Sequence, residues 1–441
     1  LLRLVKGVAG NNPCPVNFSL TLAVEQRSSL SRLRETSPPR GLAGGSQLLE
    51  CEGECIQAHR NRRQWAVDGS LSQLLPNTMK NKLRVGILGA TGMVGQRFIT
   101  LLEDHPWFAI TCVGASPKSA GKTYAQAVEG RWTMHRLVPD SIRNVRVKTV
   151  EDDLETIARD VDLVFSALDM DKEKIKELEI RYAEAGVAVV SNNSAHRWTE
   201  DVPIIMPEIN AHHASLIDSQ RKFRGWNKGL LVVKPNCSLQ SYLPVIYALM
   251  KFDPIYVSVT TLQAISGAGK TFDTWPEMMD NVIPFIKGEE EKTEKEPMKI
   301  LGSIKDGKLE LNHQPVISAT CVRVPVTDGH MASVAVKFKK KPSRAEFLGA
   351  LEKFGSQLDS LNLPSAPRRV ITYLEQDDRP QTRLDRDVER GMGIVCGRLR
   401  EDALSDWKFI TLVHNTVRGA AGGAILVAEL LVKKDSVVQN S

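Results

Sequence analysis

The chain has 441 residues, of which 42% are hydrophobic and 25% charged, with a net charge of +6; that is the composition of a soluble globular protein of two or three domains. It excludes a collagen-like, wholly disordered or membrane-embedded chain, since no stretch reaches the ~18 uncharged apolar residues of a spanning helix. The positive charge is dispersed rather than gathered in a block, so neither nucleic acid nor a membrane is an expected partner. Seven scattered cysteines form no disulfide framework and suit a reducing compartment.

All eleven methionines lie at or after Met79, although the chain opens with Leu1. Residues 1–78 lack sustained periodicity and read as a flexible extension or leader, with a compact protein beginning near Met79. Nine Lys/Arg but also six carboxylates in that stretch make a poor transit peptide. The expected compartment is therefore the cytoplasm, with organellar import as the alternative. Cys51, Cys55 and His59 have metal-like spacing, but a closed zinc site needs four ligands and Cys14 is remote. No metal is expected.

From Met79 onward strands and helices alternate. The pattern predicts a strand over 83–88, a helix over 93–102 and strands over 109–114 and 161–167. A charged helix from Asp171 to about Ala185 and a strand over 187–190 follow. Such alternation implies a parallel sheet with helical crossovers. A short apolar strand at 230–233 precedes a helical segment reaching Met250, which Pro244 is expected to kink. Beyond about Pro235 come longer strand-like runs at 256–264, 316–325 and 332–338, suggesting a larger mixed sheet. An apolar final helix spans 424–431, and the acidic-basic run 288–299 has the composition of a solvated surface.

The first strand runs into Gly86-Ile-Leu-Gly89-Ala-Thr-Gly92-Met-Val-Gly95, close to the dinucleotide-binding fingerprint. Glycines there let the turn close and bring backbone N–H groups to a pyrophosphate at a helix N-terminus. An NAD site would carry an acid at the end of the next strand. Here Ser116, Lys118, Ser119 and Lys122 stand without one, chemistry that suits a 2′-phosphate and predicts NADP. Farther on, Cys237 lies between Asn236 and Ser238 at a strand–helix junction, where the helix dipole favours a thiolate. Considered singly, it is as well explained as a small core residue.

The chain from about Met79 resembles aspartate-semialdehyde dehydrogenase, in particular its archaeal and fungal branch. The resemblance covers nearly all of 79–434 and rests on several motifs in order. These are GILGATGMVG (86–95), SNNSAHRW (191–198), KPNCS (234–238), QAISGAGK (263–270), GEEEK (288–292), CVRVPVTDGH (321–330), DRPQTRLDRD (378–387) and HNTVRGAAGG (414–423). It implies an α/β fold: a Rossmann-type NADP-binding domain over 79–235, then an α+β catalytic and dimerisation domain with a mixed sheet over 236–414. A C-terminal helix over 415–441 would pack back on the first domain.

The resemblance also implies roles. Cys237 would be the nucleophile, Gln263 a positioning group and His330 the acid/base. Arg323 would grip the substrate carboxylate, Glu290 its amino group and Lys292 phosphate, with Asn192 and Arg197 in the phosphate region. Cofactor contacts would fall on Gly89, Thr91, Gly92, Met93, Val94, Gly95, Ser116, Ser119, Lys122, Ser166 and Asn415. The activity would be NADPH-dependent reduction of aspartyl phosphate to aspartate semialdehyde through a cysteine thioester, in lysine, threonine and methionine biosynthesis, by a homodimer or homotetramer. The loop after Gly269 (Lys270-Thr-Phe) and Asn192-Asn193-Ser194 depart from the commoner family wording without removing a catalytic group. A malonyl-CoA reductase-like enzyme and an inactive nucleotide-binding scaffold are the alternatives. Each residue also has an ordinary account: a turn for His330, a strand-face charge for Arg323, backbone satisfaction for Gln263 and a solvated acidic run for Glu290.

Overall fold

The structure, a computed structural model, describes residues 81–437. The extension, Met79 and the Cys51/Cys55/His59 group lie outside the described residues.

The first sheet is parallel. Its strands are β1 (Leu83–Leu88), β2 (Phe108–Ala115), β3 (Lys148–Thr149), β4 (Leu163–Ser166), β5 (Ala188–Ser191) and β6 (Leu230–Val233), in the order β3-β2-β1-β4-β5-β6. β1, β4, β5 and β6 are almost continuously apolar and buried on both faces, as helices covering both sides of a parallel sheet require. The order reverses between β1 and β4, and ligands of doubly wound sheets bind at such a switch point. Register brings Leu88 beside Ser166, Ser166 beside Ser191, and Ser191 beside Val233. The segments starting at Gly89, Ala167, Asn192 and Lys234 therefore leave the sheet along one edge.

The second sheet is mixed. It contains β7 (Pro254–Gln263), β10 (Val316–Arg323), β11 (His330–Phe338), β12 (Ile371–Leu374), β13 (Ile394–Glu401) and β14 (Trp407–Val413), ordered β10-β7-β11-β14-β13-β12; β8 (Ser303–Lys305) and β9 (Lys308–Glu310) form a separate hairpin. β7 and β10 are parallel, with Gln263 opposite Arg323. β11 runs antiparallel to β7 and to β14, and its first residue, His330, pairs with Val413. Gln263, Arg323, His330 and the exit toward His414 thus meet at one end of the sheet.

Two helices join the halves. Leu239–Ala248 is buried on almost every side, as a helix apolar all round must be. Its Leu239, Tyr242 and Leu243 share a core with Leu231 and Val233 of the first sheet and with Val257, Val259 and Val334 of the second. The helix continues through Pro244, its sixth residue, to Ala248; the ring there cannot donate to Gln240 O. Gly422–Lys433 returns to the first sheet, where Ala424, Ile425 and Val427 pack with Val85, Phe98 and Val190. Strand and helix boundaries otherwise differ from the sequence-based spans by only a few residues.

The run 288–299 departs most from expectation. It is a helix, Glu289–Ile300, that buries Glu289, Thr293, Glu296, Lys299 and Ile300 along one stripe. A helical period converts a charge-rich run into one wet face and one dry face. Glu291 and Lys295 pair at 2.9 Å on the wet one.

Candidate active site

The nucleotide edge is built from backbone. Gly89 has φ +84°, and a Cβ there would sit on Ala167 O; a Cβ on Gly95 would strike Gly89 O. The Met93–Leu102 helix starts at Gly92 with no side chain capping it, leaving its first N–H groups to face an anion. Ser166 closes β4 across the switch point and is fully buried. Beyond β2, Ser116 and Lys122 are exposed while Ser119 is buried, its Oγ accepting from Arg131 at 3.4 Å. No carboxylate ends β2. These residues fit a dinucleotide, with cations where a 2′-phosphate would lie.

The acyl edge is built from buried charged side chains. Asn236 is the pin of the Cys237 loop: its Oδ1 accepts from Ser238 N–H at 2.7 Å and Ser238 Oγ at 2.6 Å. Its Nδ2 donates to Glu289 Oε2 at 2.9 Å, and its N–H to Glu296 Oε2 at 2.8 Å. Glu289 also receives Lys292 Nζ at 2.7 Å and Gln263 Nε2 at 3.4 Å. Burial opposes its ionisation, but Lys292, Asn236 and Gln263 outweigh that and hold the carboxyl below its ordinary range.

Cys237 precedes the Leu239–Ala248 helix as anticipated, yet its thiol is pushed up, first by burial and then by Glu289; Lys234, Arg197 and Arg323 pull the other way. One turn of π-helix, Val417–Ala421, walls it in. Gly419 N–H reaches back to His414 O and Ala421 N–H to Thr416 O, and a Cβ on Gly419 would stand 3.0 Å from Cys237 Cβ. π-turns recur at functional sites.

His330 and Arg323 meet at Gly267. A Cβ there would lie 2.8 Å from Arg323 Nη1 and 2.9 Å from His330 Cε1. Arg323 Nη1 donates to Ala264 O at 2.7 Å. Ala264 N–H donates to His330 Nδ1 at 3.2 Å, which puts the proton of the neutral ring on Nε2. Burial, reinforced by Arg323, lowers the His330 pKa to about 3, and Nε2 is buried with no partner among the described residues.

Three sequence-based assignments are redirected. Glu290 points away from the loop, its Oε1 accepting from Cys321 N–H at 3.2 Å; Glu289, one position earlier, faces Asn236 and Gln263. Stepping back four residues from buried Thr293, or seven from Glu296, lands on Glu289, so helical period carried the signal. Arg197 is committed to Glu296 at 2.8 Å and to Lys234 O at 3.2 Å. Asn415 spends its amide within the protein, accepting from Gly329 N–H and donating to Ser266 Oγ, each at 2.8 Å. Asn192 keeps a buried Oδ1 with no partner among the described residues. Glu289, Glu296, Lys234, Gly267 and Gly419 were not singled out from sequence, although all but Glu296 lie inside the quoted motifs GEEEK, KPNCS, QAISGAGK and HNTVRGAAGG. Among the described residues no cluster could hold a metal ion.

A dinucleotide edge abutting a walled-in cysteine, with glutamine, arginine and histidine converging beyond it, defines a nucleotide-dependent oxidoreductase of the semialdehyde dehydrogenase type. Two family models match: "Semialdehyde dehydrogenase, NAD binding domain" over residues 84–217 and "Semialdehyde dehydrogenase, dimerisation domain" over 244–418. The aspartate-semialdehyde dehydrogenase of Archaeoglobus fulgidus is 46% identical, over 79% of this chain and 98% of that protein. The Saccharomyces cerevisiae enzyme is 39% identical, over 81% and 100%. The crystal structure of the Candida albicans enzyme with NADP superposes with a TM-score of 0.72 at 37% identity, over 81% of this chain and all of that one. The chain belongs to the aspartate-semialdehyde dehydrogenase family.

Proposed function

We propose that this enzyme reduces 4-phospho-L-aspartate to L-aspartate 4-semialdehyde with NADPH, through a thioester on Cys237, in the biosynthesis of lysine, threonine and methionine. The observation that carries the proposal is the Glu289 carboxylate, which joins the nucleophile loop through Asn236 to the end of the second sheet through Gln263.

Cys237 attacks the acyl carbon and phosphate departs, leaving the thioester. The Nε2–H of His330 donates a hydrogen bond to the acyl oxygen as it gains charge; when the C–S bond of the reduced adduct breaks, that charge returns to sulfur, releasing the aldehyde and the Cys237 thiolate. Arg323 offers a planar fork to the α-carboxylate. Glu289, not Glu290, takes the α-ammonium. Lys292 and the Nδ2 donor of Asn192 serve the phosphate, while Arg197 acts indirectly by holding Glu296. Gly89, Thr91, Gly92, Met93, Val94 and Gly95 hold the cofactor pyrophosphate, Ser116, Ser119 and Lys122 its 2′-phosphate, and Ser166 the switch-point side. When bound there, the reduced nicotinamide supplies hydride.

The open face of the second sheet, where Tyr256 is 60% and Val316 48% exposed, supports a homodimer formed through that face. No helix among the described residues is long and apolar enough to cross a membrane. A cytoplasmic setting suits a working thiol and free Cys112, Cys321 and Cys396. The test is the purified protein with aspartate semialdehyde, NADP and phosphate, followed at the NADPH absorbance. Reduction of malonyl-CoA with no turnover of aspartate semialdehyde would overturn this function.

A further inference from the structure

Lys234 opens the loop that carries Cys237, and the mechanism above gives it no task. It closes the link between β6 and Cys237, is 1% exposed, and makes no ion pair among the described residues. Its Nζ donates to Pro235 O at 2.5 Å and to Gly419 O. Its stem packs over Gly423, whose added Cβ would lie 3.2 Å from Lys234 Cδ. Gly419 therefore has the amine on its carbonyl and the nucleophile on its α-carbon side, with Cys237 Cβ 3.0 Å from where a side chain would start.

A buried lysine without a carboxylate is costly, and two carbonyl bonds do not explain it. Two N–H groups satisfy two carbonyls, and a neutral amine has both. The third proton of the ammonium does nothing for the fold. Lys234 can therefore gain or lose charge without disturbing its hydrogen bonds.

The charged groups facing it come from each element packed around it: Arg197 from the segment after β5, Glu296 from the Glu289–Ile300 helix, Arg418 from the π-turn and Cys237 from its own loop. Glu296 is taken by Arg197 and Asn236, and Arg418 by Glu208 at 2.9 Å. The Cys237 thiolate is the remaining negative charge that Lys234 can answer. Burial first, then Arg197, lowers the lysine's pKa to about 7, and an ionised Cys237 raises it, as mutual stabilisation requires.

We propose that Lys234 is the buried counter-charge of the Cys237 thiolate: a positioning residue whose ammonium form accompanies the ionised nucleophile and whose neutral form accompanies the acylated one. The proton separating the two states exchanges with solvent as the sulfur gains or loses charge. This rests on Cys237 being the nucleophile.

The experiment follows the rate of Cys237 alkylation by iodoacetamide against pH, with NADPH binding as the control for folding. Lys234→Gln keeps an –NH2 donor pair without the charge, and Lys234→Arg keeps the charge. A unit charge within about 10 Å in an effective dielectric of about 20 moves a pKa by about one unit or more. Lys234→Gln should therefore alkylate roughly tenfold more slowly at neutral pH, with its inflection displaced upward, while Lys234→Arg stays near wild type. A folded Lys234→Gln with the wild-type profile overturns the proposal, as does an equal loss in both variants, which marks a purely structural role. Should neither variant fold, wild-type protein carrying 13Cε-lysine gives the answer: a lysine signal titrating near neutrality must move to lower pH once Cys237 is alkylated, and an unmoved one refutes the idea. Undiminished turnover in Cys237→Ala would instead refute the thioester mechanism itself, so the two failures are distinguishable.

Discussion

The two edges that meet at Cys237 are made of different materials. The nucleotide edge is backbone: Gly89 and Gly95 stand where a Cβ would collide with a neighbouring carbonyl, and an uncapped helix end supplies the donors. The acyl edge is buried ionic side chains, Glu289, Glu296, Arg197, Arg323 and Lys234, each desolvated. Backbone sites tolerate side-chain changes around them, because the donors belong to every sequence that folds there. Ionic sites do not: removing one partner leaves a buried charge uncompensated, at about 3–5 kcal/mol.

This contrast is open to attack. The largest effect belongs to Cys237→Ala, which should lower turnover by at least about 10³-fold with NADPH affinity unchanged by fluorescence titration; loss of NADPH binding would mean the edges are not separable. Gly267→Ala comes next. Its methyl displaces Arg323 and His330 and should reduce kcat/KM about 10²-fold, the scale of a 1 Å misplacement; full activity would show that the pocket yields. Third, Glu289→Gln should raise the KM for aspartate semialdehyde by about tenfold or more, whereas Glu290→Gln should stay within about threefold, as loss of a charged hydrogen bond predicts for the first alone. Equal effects would erase the assignment of the inward face. Ser116→Asp places a carboxylate where NAD sites have one and should cost about tenfold in NADPH KM through repulsion of the 2′-phosphate, with kcat little changed.

The smallest expected effect is on stability. Burial lowers His330 to about 3 and His213 to about 4. Below the ordinary histidine value near 6.5 the unfolded chain takes up protons that the folded protein refuses, so stability falls with pH from about 6.5 toward 4. Thermal melts at pH 7.5, 6.0 and 5.0 should give a descending Tm, and Asn replacing His213, whose Nε2 meets Gly302 O at 3.0 Å, should flatten the slope. A Tm independent of pH would mean that these rings are protonated in the fold.

The same contrast explains what could be read beforehand. The strand over 83–88 and the helix over 93–102 announced themselves because backbone requirements select particular residues: glycine where no Cβ fits, apolar runs where both faces are covered. Cys237 and His330 were recoverable through motif resemblance. The ionic edge was only half visible. GEEEK offers three adjacent glutamates, and composition cannot choose among them; the inward one is set by the helix period running back from Thr293 and Ile300. Arg197 looked like an anion ligand because its partner, Glu296, is ninety-nine residues away in the chain. Gly267 and Gly419 lie inside motifs that carried the resemblance, but what excludes a side chain there is tertiary and cannot be read from them.

The π-turn has a consequence in time rather than space. The wall behind Cys237 comes from residues 417–421, and the helix anchoring that wall is the last described element of the chain. During synthesis the thiol emerges long before its wall, its lysine's second carbonyl or the Glu208 partner Arg418. The reactive centre is therefore completed only after residues 417–421 have emerged, and a nascent chain stopped before them carries a cysteine without the machinery that makes it a catalyst.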